Sequence, residues 1–139
     1  MPHIAIISSS VRNGRKSHGV AQYLKEYIES ENLATVEILD LRAYDFPILH
    51  ERFKFLEKPS AELTDFVNRF KSADGILIVT PEYNGGYPPA LKNVVYVFPA
   101  AWYHKPTAIA TVSGGAFAGS QVLTSLPFSL WKLKACIAT

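Results

Sequence analysis

Hydroxyl-bearing and cationic side chains alternate in one short stretch near the N-terminus. The stretch follows an apolar run and leads into a predicted helix that begins near Ser17, a residue type favoured at helix N-caps. Free amide groups and the positive dipole end at a helix N-terminus favour an anion. The pattern therefore predicts a site for a terminal phosphate, with a solvated polar loop as the alternative. The side chains concerned are Ser8, Ser9, Ser10, Arg12, Arg15, Lys16, Ser17 and His18.

Known phosphate-binding motifs of other kinds are absent from this stretch. It lacks the G-x-x-x-x-G-K-[ST] pattern of a Walker loop and the G-x-G-x-x-G pattern of a dinucleotide fold. It also lacks the nucleophilic cysteine that a phosphatase loop would need. The prediction is therefore limited to binding of a phosphate group.

A second polar group lies in the middle of the chain. Glu82, Tyr83 and Asn84 stand between Pro81 and Gly85, directly after the buried run 76–80. Ligands of open α/β sheets bind at the carboxyl ends of the strands. A flat heteroaromatic ligand could use the backbone amides here and the Tyr83 ring, which we interpret as a wall beside the ligand in preference to a proton donor. We expect a structural role for Glu82. A turn-rich connector is the alternative.

Alternating apolar runs and helical patterns indicate the elements that position these residues. Four strand–helix alternations predict an α/β fold with helices on both faces of a parallel sheet. An alternating second strand suits the edge, which gives the order 2-1-3-4-5. The order then reverses between the first and third strands, so the loops after the first, third and fourth strands should open onto one crevice. The predicted strands are 3–7, 35–39, 76–80, 107–112 and 135–138.

The helices are predicted from caps and spacing. One begins near Ser17, and a second is capped by Ser60 with its inward stripe at Leu63, Phe66, Val67 and Phe70. The segment 91–98 has strand propensity, but the alternation favours a helix. A last helix is predicted over roughly 119–133, and the connection 40–58 is predicted to be irregular.

Composition excludes several classes of function. The 139 residues suffice for one domain, and a net charge of +2 is too small to predict nucleic-acid binding. No apolar run is long enough to span a membrane. The single cysteine, Cys136, is expected in a buried strand and favours the cytoplasm. The four histidines lack metal-ligand spacing, so we predict no metal site. No Ser-His-Asp, Cys-His or paired-carboxylate constellation predicts a catalytic side chain.

Two motifs together resemble one known family. Ser10-Val11-Arg12 with 14–17 (GRKS), and 81–84 (PEYN) with 91–93 (LKN), are similar to the NADPH-dependent FMN reductase family of flavodoxin-like proteins. That family includes FMN-containing quinone, azo-dye and chromate reductases. The resemblance runs from Ile4 to the chain end and implies a flavodoxin-like three-layer sandwich. Members continue beyond the fifth strand with a further helix, so we expect residues 1–139 to be a single FMN-binding domain in shortened form, with the last helix missing.

The resemblance also implies a cofactor, a reaction and site residues. FMN would take hydride from NADPH or NADH and pass electrons by ping-pong transfer to a quinone, azo compound, metal oxyanion or free flavin. The phosphate would be bound by Ser10, Arg12 and Ser17, with Arg15, Lys16 and His18 as weaker candidates. The ring would lie between two sets of residues, namely Pro81, Glu82, Tyr83, Asn84 and Gly85 on one side and Ser113, Gly114 and Gly115 on the other.

Two further functions stay open at this point. One is a flavodoxin-type one-electron carrier, although such carriers are strongly acidic and this chain is not. The other is a non-catalytic FMN-binding or assembly module. By analogy we expect a homodimer or homotetramer that acts on a small-molecule acceptor, without a nucleic-acid or membrane partner.

Overall fold

Five parallel strands form the centre of the computed structural model, which describes residues 1–138. They are ordered β2-β1-β3-β4-β5, which confirms the predicted order. Ile4 aligns with Val36 on one side and with Gly75 on the other, so the first strand is central. Because each of the four pairings is parallel, the carboxyl ends share one edge of the sheet. The strands are β1 (His3–Ser8), β2 (Thr35–Asp40), β3 (Gly75–Pro81), β4 (Pro106–Val112) and β5 (Cys136–Ile137).

Helices cover both faces of this sheet. On one face Ala21 packs with Ile6 and Val79 in a small apolar cluster. On the other face Phe66 and Leu126 belong to the larger cluster. The three-layer α/β arrangement is therefore confirmed. The helices are α1 (Ser17–Ser30) on the first face, then α2 (Leu41–Tyr44), α3 (Ala61–Ser72), α4 (Pro89–Val97) and α5 (Val122–Lys132), with 3-10 helices at Phe53–Phe55 and Pro99–Trp102.

Helix α3 follows its sequence signals closely. The Ser60 hydroxyl accepts a hydrogen bond from the amide of Leu63 at 3.1 Å, so the predicted cap is confirmed. The four predicted inward residues are all buried, at positions 63, 66, 67 and 70. Their spacing places them on one face of the helix, against the sheet.

Helix α4 forms in spite of a run of β-branched residues. Leu91, Val94, Val95 and Val97 are all buried in the larger cluster, and this burial outweighs the weak local preference for strand. The predicted helix is confirmed, and it ends at Val97, two residues before Pro99.

Two local predictions were wrong. Ser17 is the first helical residue, not the cap, because Lys16 occupies the N-cap position. Cys136 is exposed, although a buried strand residue was expected. Its neighbour Ile137 faces the larger cluster. Since strand side chains alternate, Cys136 faces the side of α1, which lies over the other end of the sheet.

The connection between β2 and α3 is more ordered than predicted. It contains α2 and a 3-10 helix, and its middle is fixed to α4 by one side chain. The Asn93 amide donates to the carbonyl of Pro47 at 2.9 Å and accepts from the amide of Leu49 at 2.9 Å. The Asn93 side chain thus supplies the kind of backbone hydrogen bonds that a neighbouring strand would otherwise make with this segment. Within residues 1–138, no helix combines the length and apolarity needed to cross a membrane.

Candidate functional site

The loops that follow β1, β3 and β4 meet in one cleft of about 470 Å³. That volume is within the range of small-molecule and cofactor sites. The shared crevice at the carboxyl edge of the sheet was predicted, and it follows from the strand order. The lining residues are Ser10, Arg12, Asn13, Gly14, Arg15, Lys16, Ser17, Pro81, Tyr83, Val112, Ser113 and Gly114.

The first loop is bound tightly to the sheet and to β2. The Ser9 hydroxyl donates to the carbonyl of Val79 at 2.8 Å, which anchors the loop to β3. Arg15 donates through Nη1 to the carbonyl of Ser10 at 2.8 Å. Its two terminal nitrogens also contact the Asp40 carboxylate at 2.5 and 2.7 Å. The Arg15 side chain therefore links the backbone of the first loop to the end of β2.

The pair formed by Arg15 and Asp40 is charged and half-buried. Burial alone would raise the pKa of Asp40, but hydrogen bonds from Arg15 and from the amide of Arg42 outweigh it and hold that pKa below its usual value. The hydrogen bond to Asp40 raises the pKa of Arg15 against the opposing effect of burial. Arg42 adds a bond from Nη2 to Asn13 Oδ1 at 2.8 Å. Residues at the end of β2 thus brace the loop.

The N-terminus of α1 opens into the cleft with free hydrogen-bonding capacity. Lys16 at the N-cap position makes no side-chain capping bond with any residue that the structure describes. Amide groups of the first turn have no acceptor inside the helix. The Ser17 hydroxyl is buried and has no hydrogen-bond partner within residues 1–138. A buried hydroxyl without a partner is costly unless a ligand or water satisfies it.

The second loop is a tight hairpin. Tyr83 and Gly86 exchange two backbone hydrogen bonds at 2.8 and 3.0 Å. Asn84 and Gly85 between them both have positive φ, at 51° and 79°. This is the conformation that Asn-Gly adopts in a two-residue type I′ turn. The Glu82 carboxylate accepts a hydrogen bond from the amide of Gly85.

Three of the residues predicted to flank the ring form the hairpin itself, among them Glu82, for which a structural role was expected. Glu82, Asn84 and Gly85 do not line the cleft, because their groups build the turn. Pro81 and Tyr83 do line it. The dipeptide Asn84-Gly85 is itself a strong hairpin signal, so the turn could have been read from the sequence.

Tyr83 joins the second loop to the first. Its hydroxyl lies 2.8 Å from Ser10 Oγ, and its ring lies under the Arg12 guanidinium, with 5.6 Å from Cζ to the ring centroid. Ser10 is buried, whereas Arg12 is exposed and forms no ion pair within the described chain. The side chains expected at the two ends of one ligand therefore touch each other.

The third loop is folded back on the end of β4. Thr111 Oγ1 donates to the carbonyl of Ala118 at 2.8 Å. Gly119 has a φ of 77°, and a Cβ there would come within 3.1 Å of Thr111 Cβ, so glycine is required. Ser113 and Gly114 line the cleft, but Gly115 does not; its amide donates to Ser113 Oγ at 3.1 Å.

Of the three weaker phosphate candidates, Arg15 and Lys16 line the cleft, whereas His18 does not. Its Nδ1 contacts Ser8 Oγ at 2.9 Å, and its Nε2 is 3.3 Å from the Gln22 amide nitrogen. Residues that the sequence reasoning did not select are Asn13, Gly14 and Val112 in the lining and Asp40 and Arg42 behind it. Asp40 could have been selected by its position in the sequence, because it ends a predicted strand and the carboxyl ends of parallel strands share one edge of the sheet.

A groove of similar volume, about 530 Å³, lies beside α4 between Phe46, Ile48 and Tyr96. Its lining is mostly apolar, and its charged group is Lys92. It lacks the cluster of hydroxyl, amide and guanidinium donors, so the chemistry favours the cleft as the functional site. Among residues 1–138, no group of three or more His, Cys, Asp or Glu side chains could hold a metal ion.

Comparison with known proteins agrees with this geometry. The chain matches the model of the NADPH-dependent FMN reductase family over residues 2–138. It is 35% identical to a quinone reductase of Pseudomonas putida over 122 residues, which are 84% of this chain and 62% of that protein. The chain thus spans less than two thirds of that relative's length.

Two further proteins extend the comparison. The NAD(P)H-dependent FMN reductase LOT6 of Saccharomyces cerevisiae is 33% identical over 144 residues, covering 94% of this chain and 74% of the relative. The solved structure of FerB, a flavoenzyme NAD(P)H:(acceptor) oxidoreductase from Paracoccus denitrificans, superimposes with a TM-score of 0.83 at 21% identity and covers 100% of this chain and 76% of FerB. The likeness to FerB is one of fold. By its match over residues 2–138, the chain belongs to the NADPH-dependent FMN reductase family of flavodoxin-like oxidoreductases.

Proposed function

We propose that residues 1–139 form a single FMN-binding domain that passes electrons from NADPH or NADH to a small-molecule acceptor. Quinones, azo compounds, metal oxyanions and free flavin are the acceptor classes. The family supports this proposal, since its members use FMN and NAD(P)H. FMN, when bound, would supply the redox chemistry by taking hydride from the nicotinamide and delivering two electrons to the acceptor.

One observation carries the cofactor proposal. Ser17 has a buried hydroxyl without a partner in residues 1–138, at a helix N-terminus whose first amides are free. Arg12 and Lys16 bring two positive charges to the same cleft. Donors and cations without an acceptor fit a phosphate group, which offers acceptor oxygens and negative charge.

The proposed roles of the lining residues follow from their chemistry. Arg12, Lys16 and the hydroxyls of Ser10 and Ser17 would bind the phosphate. Small or flat groups at the other end would bound the ring, and we assign that role to Pro81, Tyr83, Ser113 and Gly114. No described side chain is assigned as general acid or base, because the lining contains no Asp, Glu or His and the Tyr83 hydroxyl is bonded to Ser10.

Flavin titration tests the cofactor. Flavin-free protein is titrated with FMN while flavin fluorescence is followed, and the visible spectrum of the complex is recorded. Ser17→Ala removes a hydrogen bond to a charged group, which is worth about 1.5–3 kcal/mol, so we expect about 10- to 100-fold weaker FMN binding. Its melting temperature should stay the same or rise, because an unpartnered buried hydroxyl is lost. Equal FMN affinity in both proteins would contradict the phosphate site.

Turnover tests the activity separately. NADH and NADPH oxidation is measured with menadione in the presence of FMN. Sustained oxidation supports a reductase. Tight FMN binding without oxidation would instead support a non-catalytic FMN-binding module, and oxidation only with a protein partner would support a one-electron carrier.

We also propose that the protein is a homodimer or homotetramer in the cytoplasm. Phe128 and Trp131 on α5 are 62% and 63% exposed, which is unusual for large aromatic side chains and favours an interface. Sedimentation velocity measures the assembly directly. A monodisperse monomer at micromolar concentration would exclude this part of the proposal.

A further inference from the structure

We propose that Tyr83 is a positioning residue of the anion site, in which its hydroxyl orients Ser10 and its ring holds Arg12 toward a ligand phosphate. This inference rests on the proposed FMN function and deepens it. The sequence predicted Tyr83 as a wall beside the ring. The contacts that Tyr83 makes give it a second task at the opposite end of the ligand.

The backbone holds Tyr83 in place for this task. Two hydrogen bonds with Gly86 fix its main chain at the base of a two-residue turn. Pro81, two residues earlier, has a restricted φ and is the last residue of β3. Tyr83 therefore crosses from the second loop to the first on a rigid support, and a rigid support is what a positioning residue needs.

The hydrogen-bonding capacity of the two hydroxyls sets the direction of the bond. Tyr83 Oη and Ser10 Oγ lie 2.8 Å apart, and each hydroxyl has one hydrogen to donate. A phosphate offers acceptors, so Ser10 must donate its hydrogen to the phosphate. Tyr83 must then donate to Ser10. The arrangement becomes a chain from Tyr83 through Ser10 to the ligand, and the Ser10 hydrogen points into the cleft.

The Tyr83 ring acts on Arg12 in a different way. Arg12 is exposed and has no ion pair among the residues that the structure describes, so its long side chain would otherwise sample many rotamers. The guanidinium lies 5.6 Å from the ring centroid, within the range of a cation–π contact. Tyr83 thereby keeps the cation at the edge of the cleft before a ligand arrives.

FMN and riboflavin separate the two tasks of Tyr83, because they share the ring and differ in the phosphate. We expect Tyr83→Phe to weaken FMN binding about 3- to 10-fold, the effect of one hydrogen bond, and to change riboflavin binding less than 2-fold. Tyr87→Phe is the matched control, since the Tyr87 hydroxyl contacts Ser129 Oγ at 3.0 Å outside the cleft. It should change neither affinity.

A double-mutant cycle tests whether Tyr83 affects FMN affinity through Ser10. If Tyr83 acts through Ser10, then Tyr83→Phe made in the Ser10→Ala background should change FMN affinity less than about 2-fold. Tyr83→Leu removes the ring as well, and with it the wall beside the flavin, which should affect FMN and riboflavin equally. Beyond the effect of Tyr83→Phe, we therefore expect Tyr83→Leu to lower the preference for FMN over riboflavin in wild type but not in Arg12→Ala. Melting curves of every variant are recorded, and Tyr83→Phe should melt within about 2 °C of wild type.

The outcomes are distinct. An equal loss for FMN and riboflavin in Tyr83→Phe, or no loss for either, overturns the inference and leaves Tyr83 as a wall. Full additivity with Ser10→Ala overturns it too. Failure of the wild type to prefer FMN over riboflavin would count against the proposed phosphate site itself.

Discussion

The ion pair between Arg15 and Asp40 makes the first loop testable by one substitution. Asp40→Asn keeps the size of the side chain and removes its charge. In the native protein the two groups are only 12% and 18% exposed, and Arg15 also binds the carbonyl of Ser10. The asparagine can still accept one bond from Arg15. The guanidinium charge, however, is left without its counter-charge.

The expected cost follows from these contacts. Losing one charge-assisted hydrogen bond and the attraction of a half-buried pair should lower the free energy of unfolding by about 2 kcal/mol. Unfolding entropy of about 2.1 cal/mol/K per residue amounts to roughly 0.3 kcal/mol/K for a chain of this length, so the melting temperature should fall by about 7 °C. FMN affinity should fall as well, because the loop that carries Ser10 and Arg12 loses its brace.

The effect has a defined pH dependence. The pKa of Asp40 is lowered by its hydrogen bonds with Arg15 and Arg42, in spite of burial. A group with a lowered pKa in the folded state stabilises the protein above its unfolded pKa and loses that contribution as the pH falls through the folded pKa. The difference in stability between wild type and Asp40→Asn should therefore be constant near neutral pH and should shrink below about pH 4.

Urea unfolding of wild type and Asp40→Asn between pH 3.5 and pH 7 measures both quantities. Glu26→Gln is the control, because Glu26 is exposed on α1 and has no ion pair in the part of the chain that is described. Its effect should stay within about 0.5 kcal/mol. A melting temperature of Asp40→Asn within 2 °C of wild type, or a stability difference that does not change with pH, would refute the reasoning.

Two further predictions concern the turn and the connection beside α4. Gly85→Ala should lower the free energy of unfolding by about 1 kcal/mol, because Gly85 has a φ of 79° that alanine disfavours; Gly19→Ala, in helical backbone with open space around it, should instead stabilise by about 0.5–1 kcal/mol in the same urea experiment. Asn93→Ala removes both bonds to the backbone at 47–49, so limited proteolysis within 45–58 should speed up several-fold, whereas Asn68→Ala on the exposed side of α3 should leave the digestion rate unchanged.

The sheet and its helices could be predicted because their signals are local. The apolar run 76–80 is buried on both faces, and Ser60 with Leu63, Phe66 and Phe70 forms a cap and a stripe within eleven residues. Each signal needs only neighbours along the chain. The strand order could be predicted from the alternation of strands and helices and from one strand with a partly solvent-exposed face. Because that order fixes which loops are neighbours, the shared crevice of the three loops could be predicted as well.

What could not be predicted is mostly the contacts that join distant segments of the chain. Arg15, a weaker candidate for the phosphate, lines the cleft and also pairs with Asp40. That partner lies 25 positions away, and sequence spacing carries no information about such a contact. The contact between the His18 ring and the Ser8 hydroxyl could not be predicted from sequence spacing either. Cys136 is exposed because, among residues 1–138, no helix covers its face of the sheet at β5: α1 lies on that face over β1, β2 and β3, while α5 packs on the opposite face.

The two ends of the cleft differ in how strongly the chain organises them. The end of the cleft that we propose for the phosphate receives fixed groups from three strand ends, with Asp40 behind Arg15, Ser9 bonded to Val79, and Tyr83 beside Ser10. The end that we propose for the flavin ring is bounded by Pro81, the Tyr83 ring, Ser113 and Gly114. Donors that are held in advance lose little entropy when a ligand binds, so they contribute strongly to affinity. If FMN is the ligand, its phosphate should therefore contribute most of the binding affinity. An open ring face with few polar groups would discriminate little between acceptors of different shape. A single bound flavin could then serve acceptors as different as quinones and azo compounds.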